Sequence, residues 1–561
     1  MFLFAALISV TFAFISPLRP WLTQYALDNY VVHPDKKMLL DMTLIIFAVL
    51  FFETLLQFFN EYLAGWLGQT IVRDMRTNLF KHINSLPVQY FDKTPIGTLV
   101  TRVVSDMEAI SDIFSEGLLV ILSDVLKIIV IISVMFFTNW KLALISLSIF
   151  PLLLIGANMF KNGVNRSFNE VRTQIARLNS FVQEHISGMS IVQIFNREEE
   201  EMKKFENINA EHRNANIRSV WYYSIFFPFI EILSSISIGL IIWWGGRGVF
   251  DNTFSVGQLV AFIMYINMLF RPIRLVADRF NTLQMGIVAS ERVFRVLDTK
   301  DPVPENGKFI MENAEGNVEF KNVWFAYNQE NWILKNVSFS VKQGETIALV
   351  GATGAGKSSI ANLINRFYEY NKGEILIDSK DIRDYKLLSL RKSIGIVLQD
   401  VFLYSDTIAN NISLNNPEIK RGQIIEAAKT VGAHDFIMQL PDTYDYNVME
   451  RGATLSVGQR QLISFIRAYL YNPKILILDE ATSSIDTESE ILIQRATNLL
   501  TEKRTSIVIA HRLATIQRAS KIIVLDRGEI LEMGTHSELL SRNGQYRKLF
   551  ELQFKKEEVK T

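Results

Sequence analysis

Six apolar runs, at about residues 2–25, 38–67, 116–137, 141–160, 220–244 and 254–270, dictate what the first half of this chain can become. Each approaches the roughly 20 apolar residues that carry an α-helix across a bilayer. A backbone in lipid must satisfy its own hydrogen bonds, and a helix does so within one segment. The runs therefore read as six membrane helices. The first has a rival reading as a secretory signal, but it lacks a basic leading segment and a small-residue cleavage site. It also contains Pro17, Arg19 and Pro20, so the span reading stands. A span that opens at residue 2 leaves room for further residues ahead of it.

The links between spans are uneven. "TNWK" (138–141) and "GGRGVFDNT" (245–253) are short, whereas residues 68–115 and 161–219 are long and charged. The long segments hold Arg73, Arg76, Lys81, Lys93, Arg102, Lys161, Arg166, Arg172, Arg177, Arg197, Lys203, Lys204 and Arg213; the short links hold only Lys36, Lys37, Lys141 and Arg247. Positive charge is retained on the cytoplasmic side. That places the long segments, and everything after the sixth span, in the cytosol. Apolar residues recur at helical spacing in "FNEVRTQIARLNSFVQEHISGMSIVQIF" (168–195), so the spans are expected to continue as helices beyond the membrane.

Ionisable residues inside spans are expensive and mark cavities or partner contacts. Asp124, Lys127 and Glu231 qualify, with Glu53 and Glu61 less deeply placed. Asp124 and Lys127 are three apart on one helix face and are expected to pair. Phe and Met in the second, fifth and sixth spans read as packing or lipid-facing residues; were they to line a cavity, amphipathic drugs or lipids would suit it.

The pattern changes after "KDPVPENGKFIMENAEG" (300–316), where Pro302, Pro304 and Gly307 read as a linker. Short runs such as "VEFKNVWFAY", "SFSVKQGETIALV", "GEILID", "KILILDE", "TSIVIA" and "KIIVLD" then alternate with helical stretches. That alternation predicts an α/β domain with a largely parallel sheet. The boundaries are 1–300 for the membrane region, 301–316 for the linker and 317–561 for the α/β domain.

Directly after the strand-like "ETIALV" stands "GATGAGKS": Gly351, Ala352, Thr353, Gly354, Ala355, Gly356, Lys357 and Ser358, followed by Ser359. Glycines let the backbone turn its N–H groups inward around phosphate oxygens. The helix pattern that follows directs the positive end of its dipole at the same anion. Lys357 reaches the outer phosphates, and the Ser358 hydroxyl suits Mg2+. "KILILDE" ends a buried strand on Asp479, whose carboxylate can hold Mg2+ directly or through water, and Glu480 follows where a carboxylate polarises water. His511, after "TSIVIA", can sense a γ-phosphate oxygen or serve only the structure. Gln399, after "SIGIVL", reads equally as a ligand of metal or water and as a surface glutamine. Lys plus Arg and Asp plus Glu are 58 each, giving no reason to expect nucleic acid as a partner. The absence of cysteine excludes thiolate metal sites and cysteine nucleophiles.

"GATGAGKS", Gln399, "LSVGQ" (455–459), "LILDEATSSID" (476–486) and His511, in that order behind six spans, resemble the bacterial ATP-binding cassette exporters of the half-transporter kind. The resemblance covers essentially the whole chain, and "LSxGQ" discriminates it from other phosphate-loop proteins. It implies a six-helix all-α membrane domain fused to an α/β nucleotide-binding domain, with ATP and Mg2+ as cofactors. It implies export or leaflet flipping of amphipathic compounds across the cytoplasmic membrane. Tyr327 matches the aromatic that stacks on adenine, Glu480 the catalytic carboxylate, and residues 483–486 the loop facing the opposite site. Ser456, Gly458 and Gln459 match the signature that closes over the partner's nucleotide, and "MERG" (449–452) the segment that meets the membrane domain. Short coupling helices are expected near 105–112 and 180–189. Ser456 reads as an N-cap with "VGQRQLISFIRAYL" as its helix.

One position departs from the family: Val457 stands where glycine is usual. Its N–H remains available, and a first-turn position accepts a β-branched residue at modest cost. A chain that keeps Glu480 and His511 but alters the signature resembles one member of a heterodimer; a homodimer that tolerates valine is the alternative. The lack of a peptidase-like leading segment points away from peptide export. Six spans exclude a soluble cassette ATPase working on nucleic acid; a gated channel would betray itself by ion currents.

Overall fold

The computed structural model describes residues 2–300, 307–312, 314–328, 331–479, 487–510 and 512–553. The chain forms two compact units, residues 1–85 with 94–299, and residues 86–93 with 300–561.

In the first unit six helical stretches are long and apolar enough to cross a membrane: Phe2–Val31, Lys36–Ser85, Ile96–Thr138, Trp140–Ser187, Glu198–Phe250 and Val256–Ile273. They coincide with the six apolar runs. The helix Lys36–Ser85 has 50 residues, which at 1.5 Å per residue makes about 75 Å, more than twice the roughly 30 Å of a hydrocarbon core. The surplus is the expected extension beyond lipid. Asn139 makes the tight turn: its backbone is extended and its side chain accepts from the N–H groups of Lys141 and Leu142, opening the next helix. Ser255 and Gln258 form a capping box at the start of Val256–Leu297. Asp28 accepts from Ser255 Oγ (2.6 Å) and from the Gly257 N–H (2.8 Å), tying the first span to the sixth.

Polar groups in the spans turn toward neighbouring helices. Ser9 donates to Asn60, and Ser16 donates to Glu53 at 2.8 Å. The expected pairing of Asp124 with Lys127 gives way to a different one. Asp124 is paired with Arg279 of the last long helix, whose planar guanidinium fits a carboxylate better than an ammonium does. Lys127 instead places Nζ 4.4 Å from the centre of the Phe12 ring.

In the second unit ten strands are described: β1 Val318–Phe325, β2 Leu334–Val341, β3 Thr346–Val350, β4 Lys372–Ile377, β5 Lys380–Asp381, β6 Ile394–Val397, β7 Ile475–Asp479, β8 Thr505–Ile509, β9 Lys521–Asp526 and β10 Glu529–Gly534. One sheet, ordered β2-β1-β4-β5, is antiparallel. The other is ordered β10-β9-β3-β8-β7-β6 and is parallel apart from the β9–β10 hairpin. Its strands are apolar on both faces. Ala348, Val350, Leu476 and Val508 join a core with the helices, while Ile347, Leu349, Ile475 and Ile507 join one with the antiparallel sheet.

The short helix Val88–Lys93 belongs to this second unit, and Asp92 accepts a hydrogen bond from the Tyr368 hydroxyl. Residues 105–112 form a helix of the first unit, held by Asp106 against Arg102 and Arg292. In the second long segment the helix runs to Ser187, breaks at Gly188 and resumes as Met189–Ile194, with Ile191, Ile194 and Phe195 exposed.

Candidate functional site

Strands β3, β8, β7 and β6 are adjacent and parallel, so their carboxyl ends share one edge, where open α/β sheets bind ligands. From β3 the chain enters residues 351–356, and from β7 it ends on Asp479. From β6 it reaches Gln399, and from β8 it leads toward position 511. Glu480, residues 483–486 and His511 lie outside the described residues.

Two glycines fix the loop. A Cβ on Gly351 would stand 2.2 Å from the carbonyl oxygen of Leu525. Gly356, at φ +103°, is left-handed, and a Cβ there would come within 2.6 Å of a Leu334 methyl. The helix Lys357–Ile364 starts at once. Ala352, Thr353, Gly354 and Ser358 are exposed, whereas Ala355, Lys357 and Ser359 are buried. The Lys357 ammonium donates to the carbonyls of Gly351 (2.7 Å) and Ala352 (3.0 Å), closing the loop on itself. Burial holds its pKa below the ordinary lysine value, and the charge of Asp479 opposes that shift. The structure thus brings Lys357 and Asp479 into electrostatic reach across the sheet edge.

Tyr327 flanks this helix. Its hydroxyl lies 3.1 Å from Ser359 Oγ and accepts from Asn362 at 3.3 Å. Its ring meets Phe325 and Tyr368 edge-on, at 4.7 and 4.8 Å between centroids. Gln399 is exposed in the segment after β6. That segment is anchored by Arg467, which donates to the carbonyls of Phe402 (3.0 Å) and Asn411 (2.5 Å) and to the Asn411 side chain (3.1 Å).

The signature stands on another layer. Its helix, Val457–Tyr471, packs against Arg421–Val431 and Thr487–Thr501. Ser456 is the N-cap, as its sequence position implies: Oγ accepts from the Gln459 N–H at 3.2 Å, and Gln459 Oε1 accepts from the Ser456 N–H at 3.0 Å. Gly458 is buried, while Ser456 and Val457 are exposed, Val457 at 45%. The N-terminus of this helix is therefore open. In the segment just before it, Met449 (φ +58°) and Arg451 (φ +54°) are both left-handed, an uncommon state for such side chains. The sequence alone did not single out Arg467, although a lone arginine inside the apolar run "LISFIRAYL" is the kind of signal that marks a buried anchor.

Residues 2–273 match the family described as the ABC transporter transmembrane region, and residues 334–483 match the family described as ABC transporter. An ATP-dependent lipid A-core flippase of Syntrophus aciditrophicus is 37% identical over 96% of this chain and 90% of its own length. A Bacillus subtilis protein, the probable multidrug resistance ABC transporter ATP-binding/permease protein YheH, is 39% identical over 90% of this chain and 76% of its own. Among solved structures, a bacterial Atm1-family ABC exporter with ATP bound superposes with a TM-score of 0.81. It is 26% identical, and the match covers 98% of this chain and 99% of that one.

Proposed function

Because the chain belongs to the ATP-binding cassette exporters, as a membrane ATPase that assembles as a dimer with its nucleotide-binding domain in the cytosol, we propose that it moves amphipathic compounds across the cytoplasmic membrane by alternating access. Its domains are residues 1–300, a linker at 301–316, and a cassette at 317–561. The observation that carries this reading is the loop 351–358 with Lys357 facing Asp479, in a chain that also bears six spans.

Each ATP is clamped between the loop of one chain and the signature of the other. Gly351 to Ser359 wrap its phosphates, Lys357 leaves its two carbonyls for the outer phosphates, and Tyr327 flanks the base. Ser456, Gly458 and Gln459 close the site from the facing cassette, where the open helix N-terminus directs a second dipole at the γ-phosphate. The exposed Ser358 hydroxyl, Asp479 and Gln399 are hard oxygen donors of the kind Mg2+ takes, and the ion would neutralise phosphate charge when bound. Glu480 orients the attacking water, and His511 contacts the γ-phosphate. Clamping turns the membrane halves outward, and hydrolysis releases them.

The partner is a second half-transporter, and Val457 favours a different chain with an intact signature. ATPase assay of the singly expressed chain decides this: robust turnover alone establishes the homodimer. Glu480→Gln tests the cycle itself and is expected to retain ATP binding while stopping turnover; unchanged hydrolysis removes Glu480 from its role.

A further inference from the structure

The membrane unit holds a partly open cavity of about 160 Å3 between the first, second, third and sixth spans. Its lining is unusually charged for a pocket among membrane spans. Two pairs are made, Arg279 with Asp124, and Arg19 with Glu53 at 3.7 Å. The second is loose: Arg19 Nε and Glu53 Oε2 are both buried and neither has a hydrogen-bond partner. Lys127 and Arg271, which also line the cavity, have no carboxylate within ion-pair distance among the described residues. Glu61, at the exposed rim, is occupied by a hydrogen bond from Gln57 at 2.9 Å. Even with Glu61 counted, four cations face three carboxylates among the described residues.

Lys127 is half-buried and Arg271 stands exposed at the mouth; a half-buried cation is costly unless an anion matches it. The volume says how large that anion is. At about 160 Å3 the cavity is well below the roughly 300 Å3 at which pockets begin to enclose whole drug-sized ligands, yet it admits one small charged group. The remaining wall is mixed, with Phe12, Val120, Met268 and Pro272 apolar and Gln57, Asn60 and Ser123 polar, so a hydrocarbon chain finds apolar surface on part of it only. We infer that this chamber receives the phosphate or carboxylate head of an anionic amphiphile, bound by Lys127 and Arg271, with its tail lying along the spans. The inference rests on the export reading and narrows its substrate class.

The test uses the purified dimer in phosphatidylcholine vesicles, with ATPase stimulation titrated by dodecyl phosphate, dodecyltrimethylammonium and inorganic phosphate. Dodecyl phosphate is expected to act at about tenfold lower concentration than the cationic probe, and inorganic phosphate not at all. Lys127→Gln with Arg271→Gln is expected to abolish that preference, and Lys127→Arg to preserve it. Equal or stronger stimulation by the cationic probe overturns the inference, as does a preference unchanged in a folded double variant. Inorganic phosphate acting as well as dodecyl phosphate overturns the requirement for a tail. Should the double variant not fold, the order of the three probes on the unaltered protein decides. Steady ATP turnover indifferent to every probe counts against the export reading itself, and so is distinct from failure of charge selection.

Discussion

Gly351→Ala separates the role of the phosphate loop from the stability of the cassette. The added Cβ would lie 2.2 Å from the Leu525 carbonyl oxygen, a backbone atom of neighbouring β9 that cannot rotate away. Real Cβ contacts essentially never fall below 3.0 Å, so loop and strand must part by about 0.8 Å. Displaced that far, an N–H donor at roughly 2.9 Å from a phosphate oxygen passes beyond hydrogen-bond range. Each such bond to a charged group contributes about 1.5–3 kcal/mol, and about 1.4 kcal/mol is a factor of ten in affinity. The loss of one bond therefore weakens ATP binding by roughly ten- to hundredfold. The assay is titration with a fluorescent ATP analogue, paired with a thermal melt in the absence of nucleotide. Gly422→Ala, in the helix Arg421–Val431 with open space around its Cβ, is the control and is expected to bind as the unaltered protein does. ATP affinity within threefold of the original for a folded Gly351→Ala protein would refute the cradle assignment.

Ser456→Ala removes a capping box and is expected to cost about 1 kcal/mol of helix stability; ATP-driven association of the cassettes, read by analytical ultracentrifugation, should weaken several-fold. Arg467→Ala frees the segment from Phe402 to Asn411 and is expected to destabilise the cassette by about 3 kcal/mol, with ATPase activity falling more than ATP binding does. The ends of the second long cytosolic segment should respond to pH through His185 and Glu201, which are hydrogen-bonded at 2.7 Å. Glu201 raises the His185 pKa above 6.5, so that contribution is complete below pH 6.5 and fades as pH rises through the folded value. Lys204, then His185, lower the Glu201 pKa below 4.5, so its share holds above pH 4.5 and fades as pH falls through the folded value. Amide exchange over residues 186–200, corrected for its intrinsic pH dependence, should be slowest near pH 5–6, and His185→Ala should flatten the profile.

Much of this architecture was legible because its signals are local. An apolar run such as "LFAALISVTFAFIS" (3–16), with five later counterparts, has few places to go but lipid. "ETIALV" before Gly351 and "SSIANLI" after it specify strand, loop and helix without any distant contact. The Ser456 cap was equally readable, since a capping box is a matter of spacing. What was not readable depends on partners far apart in sequence. Asp124 chose Arg279 over Lys127, 155 positions away rather than three. The short helix Val88–Lys93 joined the cassette through Asp92 and Tyr368, 276 positions apart. The resting contact of Lys357 with its own loop carbonyls is set by backbone turns that a motif does not specify.

The central claim is that one ATP needs two cassettes. Turnover per chain, measured in lipid nanodiscs holding a single copy and in nanodiscs holding the pair isolated from its native membrane, tests it directly. The single copy is expected to bind ATP yet hydrolyse it at no more than a few per cent of the paired rate; equal rates per chain would contradict a site shared by two cassettes.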